Sequence, residues 1–112
     1  MYIINLESGL PDTATAMSRL NNALYVARAS GSKYAKIIHG YGSSGKGGAI
    51  KAACQRELRL YKNRRVIKDY CSGDKFGPFS EEGRKMAASD PSVKNDRDWA
   101  RNNDGVTVVS FR

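Results

Sequence analysis

The alternation of apolar and polar positions divides the chain into a few elements. Tyr2 to Leu6 is short, β-branched and apolar, which predicts a strand, and its apolar character on both faces points to a central place in a sheet. Ser8 to Asp12 is a turn, with Pro11 and Asp12 suited to the first positions of a helix. Thr13, Met17, Leu20, Leu24 and Ala27 then recur at helical spacing and form one apolar stripe, which should stop near Ser30 and Gly31. Tyr34 to His39 predicts a second strand, closed by a glycine-rich loop. Beyond Gly48 a second helix carries Ile50, Ala53, Cys54, Leu58 and Tyr61 on its buried stripe, and Lys51, Gln55, Arg59 and Lys62 share its outer face.

Arg64 to Cys71 alternates loosely and predicts a third strand, and Gly105 to Phe111 a fourth. Between them, residues 72–104 are too long for a bare connection. Ser80 followed by Glu81 and Glu82 reads as a capped helix start that Asp90 and Pro91 end, and a further short helix is expected within Val93 to Asn103. Phe76, Phe79 and Trp99 are the candidate anchors of this insertion, whose order, flap or lid, stays open. The element order implies right-handed crossovers and a mixed four-stranded sheet with helices packed on it, an α/β chain with a partly helical insertion before its last strand.

A chain of 112 residues with 40% apolar composition suits a single domain over residues 1–112. No apolar run is long enough to span a membrane and the first residues lack a signal-peptide pattern, so a cytoplasmic location without a membrane partner is expected. Cys54 and Cys71 match no zinc or redox spacing and are expected as buried, reduced thiols.

Charge changes the picture more. Ten cations and one acid fall between Lys33 and Lys68, so that stretch carries +9 of a net +8, and the rest of the chain is slightly acidic. A concentrated basic patch is the electrostatic footprint of a polyanion binder. It surrounds Gly40, Tyr41, Gly42, Ser43, Ser44, Gly45, Lys46, Gly47 and Gly48, a loop whose main-chain N–H groups no large side chain need shield from a phosphate. Gly40, Gly45 and Lys46 match part of a P-loop, but Gly47 stands where that motif holds magnesium with Ser or Thr, so the match is weak. A lone histidine such as His39 is ordinarily structural. Yet His39, Glu7 and Asn5 all fall near the C-terminal ends of candidate strands, where open sheets place ligands, and Glu7 with His39 would make a general acid/base pair there.

Ile37-Ile38-His39-Gly40-Tyr41-Gly42, followed by Lys46-Gly47-Gly48-Ala49-Ile50, resembles the signature of the small MutS-related (Smr) domain family, an H-G-x-G loop feeding a helix. Asp104 to Val109 resembles that family's closing G-x-T-x-V strand. The resemblance covers about two thirds of the chain and implies a βαβαββ two-layer α+β sandwich like the C-terminal domain of a bacterial translation initiation factor. It also implies nucleic-acid binding, with DNA nicking or RNA cleavage in many members. The family's first strand usually ends L-D-x-H-G; here Asn5 stands for the Asp and Glu7 for the His. Asn cannot ionise and Glu lacks an imidazole's proton exchange near neutrality, so binding is better supported than cleavage.

The expectation is therefore an Smr-like domain that contacts the phosphate backbone of DNA or RNA through Gly40, Tyr41, Gly42, Ser43, Ser44, Lys46, Lys51, Arg59 and Lys62. His39 and Glu7 are the candidate catalytic pair of an endonuclease. No cofactor or metal site is expected, a divalent metal being left open for a nuclease. The alternative is a protein-interaction module, or a binder of a small phosphorylated ligand, that uses the insertion as its recognition surface.

Overall fold

The computed structural model describes residues 1–9, 11–40 and 46–111, and at positions 46 and 47 the backbone alone. The chain runs β1 (Tyr2–Asn5), α1 (Thr13–Ala29), β2 (Tyr34–Ile38), α2 (Lys46–Asn63), β3 (Asp69–Ser72), α3 (Glu81–Ser89) and β4 (Val106–Ser110), with 3-10 turns at Gly73–Lys75 and Pro91–Asn95. The sheet order is β1-β2-β4-β3; β1 is parallel to β2, and β4 is antiparallel to both of its neighbours.

Local chemistry sets most element ends. Asp12 is the N-cap of α1 and accepts the Thr15 N–H at 2.7 Å, so the helix begins one residue after the expected Pro11-Asp12 start. It stops where Gly31 takes a φ of +81°, which costs a glycine little. Ala16, Leu20, Leu24 and Ala27 form its buried stripe, Ala16 taking the place expected of Thr13. On α2 the stripe of Ile50, Ala53, Cys54, Leu58 and Tyr61 is buried as its spacing predicts. Ser80 caps α3 by accepting the Gly83 N–H at 2.9 Å.

Two expectations give way to long-range pairing. β1 is an edge strand and not a central one: Ile4 faces the core while Ile3 stays 53% exposed. The third strand is also shorter than Arg64 to Cys71, because α2 closes in a turn through Arg65 at φ 61°. Val66 donates back to the Tyr61 carbonyl there, and Val66 and Ile67 enter the core from the turn. Residues that read as strand are thus spent on ending a helix.

Both α1 and α2 lie on one face of the sheet, over Ile4, Ala35, Ile37 and Val109. The insertion crosses to the other face, where Phe76, Met86, Ala87 and Val93 pack on Cys71 and Val108. It is an ordered layer. Phe76 meets Trp99 edge-on with ring centres 5.1 Å apart, whereas Phe79, the third candidate anchor, is 94% exposed. A buried ionic cluster adds to the apolar contact: Lys36 of β2 lies 2.6 Å from both Asp96 Oδ1 and Asp98 Oδ2, and Asn103 donates to the second Asp98 oxygen at 3.0 Å. Burial works against the Asp98 charge, but the Lys36 and Asn103 bonds outweigh it and hold its carboxyl below the ordinary 3.8. Among the described residues no helix is long and apolar enough to cross a membrane.

Candidate nucleic-acid interface

The end of the sheet where β1, β2 and β3 finish and β4 begins gathers the candidate chemistry. At its centre His39 is fully buried. Its main-chain N–H and that of Gly40 both donate to the Gly105 carbonyl, at 3.1 and 3.0 Å, which ties the exit of β2 to the entry of β4. The imidazole Nδ1 lies 2.9 Å from the Gly40 carbonyl, and Nε2 lies 2.8 Å from Thr107 Oγ1. A carbonyl oxygen only accepts, so the proton sits on Nδ1 and Nε2 takes the Thr107 hydroxyl hydrogen. Burial pushes the imidazole below its ordinary 6.5 and outweighs the opposing hydrogen bond to the Gly40 carbonyl; the Lys51 charge adds to the lowering, and Asp104 and Glu7 oppose it more weakly. The ring is neutral at physiological pH with both nitrogens engaged, an arrangement that shapes the loop's entry.

Glu7 is exposed and comes to the same corner. A Cβ built on Gly40 would lie 2.6 Å from Glu7 Oε1, so the carboxylate lies directly against Gly40, whose φ of +82° also favours glycine. The fold brings Glu7 close enough for His39 to feel its charge, while the imidazole's own hydrogen bonds go to Gly40 and Thr107. Asn5 has a different task. Its Oδ1 accepts the N–H groups of Glu7 and Ser8 at 2.9 and 3.0 Å, an Asx turn that ends β1. An aspartate would make the same turn with a charge; asparagine makes it without one.

The second component is a groove of about 620 Å³ between the outer face of α2 and β3, lined by Gln55, Arg56, Arg59, Lys62, Tyr70 and Lys75 among others. Arg59 and Lys62 are two of the expected contacts, and the charge of Lys51, further up the same helix, is felt at His39. Among the described residues no ion pair engages Arg56 or Arg59, while Lys62 lies 3.1 Å from Asp69. Asp69 and Glu82 also line the groove, so its walls are mixed but predominantly cationic. Tyr41, Gly42, Ser43 and Ser44, expected at the phosphate, lie outside the described residues, as does the side chain of Lys46.

Not every cation counted from the sequence belongs here. Lys36 is buried under the opposite face and neutralised by Asp96 and Asp98, and so drops out of the basic surface. Lys33 and Lys68 bond through their main chains to Phe111 and Ser110, at the end of β4 remote from the loop. Arg56, Lys75 and Thr107 line the groove without being among the contacts expected from the sequence. Arg56 and Thr107 carried a signal, helical register with Arg59 and Lys62 for the first and the closing G-x-T-x-V strand for the second. Lys75 carried none, because it reaches the groove only through the path of the insertion.

Over its whole length the chain is similar to the crystal structure of the Smr domain of Thermus thermophilus MutS2, with a TM-score of 0.58, 24% identity, and coverage of 100% of this chain and 99% of that one. The fold is that of an Smr domain. At that identity the likeness speaks for the architecture, and no protein-family model or curated protein matches the sequence. Within this fold the insertion is accommodated on the sheet face away from α1 and α2, and its Lys75 and Glu82 reach the wall of the α2 groove. The two thiols take no part in that site. Burial pushes both Cys54 and Cys71 up to about 12, which leaves neither with thiolate character. Among the described residues no group of three or more potential metal ligands is gathered.

Proposed function

We propose that this protein binds DNA or RNA through the phosphate backbone, laying the strand along the outer face of α2 with the loop after His39 at one end of the path. The observation that carries this reading is the groove beside α2, in which Arg56, Arg59, Lys62 and Lys75 face solvent and, among the described residues, only Lys62 of the four is ion-paired, with Asp69. Polyanions gain affinity there by releasing condensed counterions, independent of base sequence. The Smr fold and the H-G-x-G pattern at His39 to Gly42 support the same reading.

Binding is the activity this geometry favours over cleavage. A general base must reach the proton it removes, and the His39 nitrogens already hold Gly40 and Thr107 inside the protein. Asn5 adds no charge for a metal or a base. His39 and Glu7 therefore act as positioning groups for the loop.

The test is a titration of labelled single-stranded, duplex and branched DNA and RNA across a range of salt, with products run on a denaturing gel. Log affinity should fall with log salt with a slope of about 3 to 4, as for roughly four neutralised phosphates. A flat salt dependence refutes the backbone contact. Nicked product that disappears in His39→Ala while binding persists refutes the non-catalytic part and restores the endonuclease. Stabilisation by nucleotides or sugar phosphates, with none by oligonucleotides, would favour a small phosphorylated ligand instead.

A further inference from the structure

Phe79 has 94% of its surface open, far more than any other large apolar side chain among the described residues. Exposed rings usually sit on loose tips. This one is held by its neighbours on both sides. Phe76 is buried against Trp99, and its carbonyl accepts the Ala100 N–H at 2.8 Å. The Gly77 N–H and the Ser80 hydroxyl both donate to the Lys75 carbonyl, and the Arg84 guanidinium donates to the Pro78 carbonyl at 3.1 Å. Gly83 packs so tightly on this turn that a Cβ there would lie 2.0 Å from the Gly77 oxygen. Pro78 fixes the backbone just before the ring. A turn this constrained, carrying a phenyl group into water, costs hydration and gains nothing within the fold.

Its surroundings indicate what the ring is for. Lys75 and Glu82, in sequence on either side of the turn, line the groove with Arg56, Arg59 and Lys62, so the turn that carries Phe79 adjoins the groove. On its other flank Arg84 and Lys94 border a shallow depression formed with Pro78 and Trp99. A rigid turn that borders two cation-bearing surfaces and carries an exposed aromatic ring matches a ligand with alternating flat apolar rings and negative charges. A protein partner that took up the phenyl ring would need no such cations.

We infer that Phe79 is a stacking platform for an unpaired base of the strand whose backbone follows α2, so that the preferred ligand is single-stranded or carries a single-stranded segment. This rests on the backbone-binding reading above. Stacking on an aromatic ring is open to any base, and bases inside a continuous duplex are already stacked on one another and unavailable.

The experiment compares wild type with Phe79→Ala, Phe79→Trp and Arg59→Ala at fixed salt, using labelled single-stranded DNA, single-stranded RNA and a blunt duplex, with 2-aminopurine strands to report stacking. Phe79→Ala should weaken single-strand binding at least about fivefold, the lower end for one base–aromatic stack, with duplex affinity and salt slope unchanged. Phe79→Trp should keep single-strand affinity, and 2-aminopurine emission should be quenched by wild type and not by Phe79→Ala. The nucleic acid that loses more in Phe79→Ala is the one whose bases the ring accepts. Unchanged single-strand affinity in Phe79→Ala, with Arg59→Ala still weakening it, overturns the stacking role and leaves the backbone reading intact. Equal losses on single strands and duplex also overturn it. Absence of wild-type binding to all three ligands overturns both.

Discussion

The Lys36 ammonium lies 2.6 Å from Asp98 Oδ2, a contact between the middle of the sheet and the layer that covers it. With Asp96 on its other side, the lysine sits between two carboxylates at a site where it keeps only 5% of its surface. Lys36→Met fits the space but leaves two acids facing each other without a counter-ion. Breaking a buried pair in this way costs about 3 to 5 kcal/mol. Urea unfolding should show that loss, and Lys36→Met combined with Asp98→Asn should recover part of it.

His39 is the only histidine in the chain, so its NMR titration can be read without assignment ambiguity. Its midpoint should lie below 6.5, since burial disfavours the charged ring. The sign for stability follows. Between the depressed folded value and 6.5 the unfolded chain binds a proton that the folded one does not, so stability falls as pH drops through 6.5 and levels off below the folded value. A midpoint above 6.5 would contradict the buried neutral ring. Thr107→Val, which removes the donor to Nε2, should cost about 1 to 3 kcal/mol.

Replacing a glycine inside a helix by alanine normally gains about 0.5 to 1 kcal/mol. Gly83→Ala in α3 should do the reverse. The new Cβ would meet the Gly77 carbonyl oxygen at 2.0 Å and the Lys75 oxygen at 2.6 Å, main-chain atoms that cannot turn aside. A net loss of about 1 to 3 kcal/mol is expected in thermal or denaturant melts, as for other overpacked sites.

Glu7 places a negative charge against Gly40 at the mouth of the loop. Glu7→Gln should therefore tighten nucleic-acid binding, by up to about fivefold at low ionic strength, the range of a single exposed charge pair. The gain should shrink as salt is raised. Anisotropy titrations at two salt concentrations check both parts, and weaker binding would show that the carboxylate is needed in place.

Much of this architecture was legible because periodicity is a local property. The stripe on α2 and the cap at Ser80 each depend on residues a turn or two apart, and both are where their spacing puts them. What stayed hidden depends on distant partners. Ile3 and Ile4 read alike in sequence, and only the strand order exposes the first and buries the second. Lys36 counts as surface charge until Asp96, sixty positions later, closes on it. Phe76 and Phe79 are the same residue type three apart; Trp99 receives one and leaves the other in solvent. Val66 and Ile67 suggest a strand because β-branched residues favour one, but the helix before them needed a turn to bring its end back to the core.

The position of β4 bears on how the molecule comes into being. The five residues of β4 are the latest strand in sequence, yet they run between β2 and β3 and form the ladders to both. Until those residues have left the ribosome, β2 and β3 both lack the strand that lies between them in the finished sheet. Vectorial synthesis therefore cannot assemble this sheet piece by piece; closure waits for Val106 to Ser110 and then joins both halves in one cooperative step.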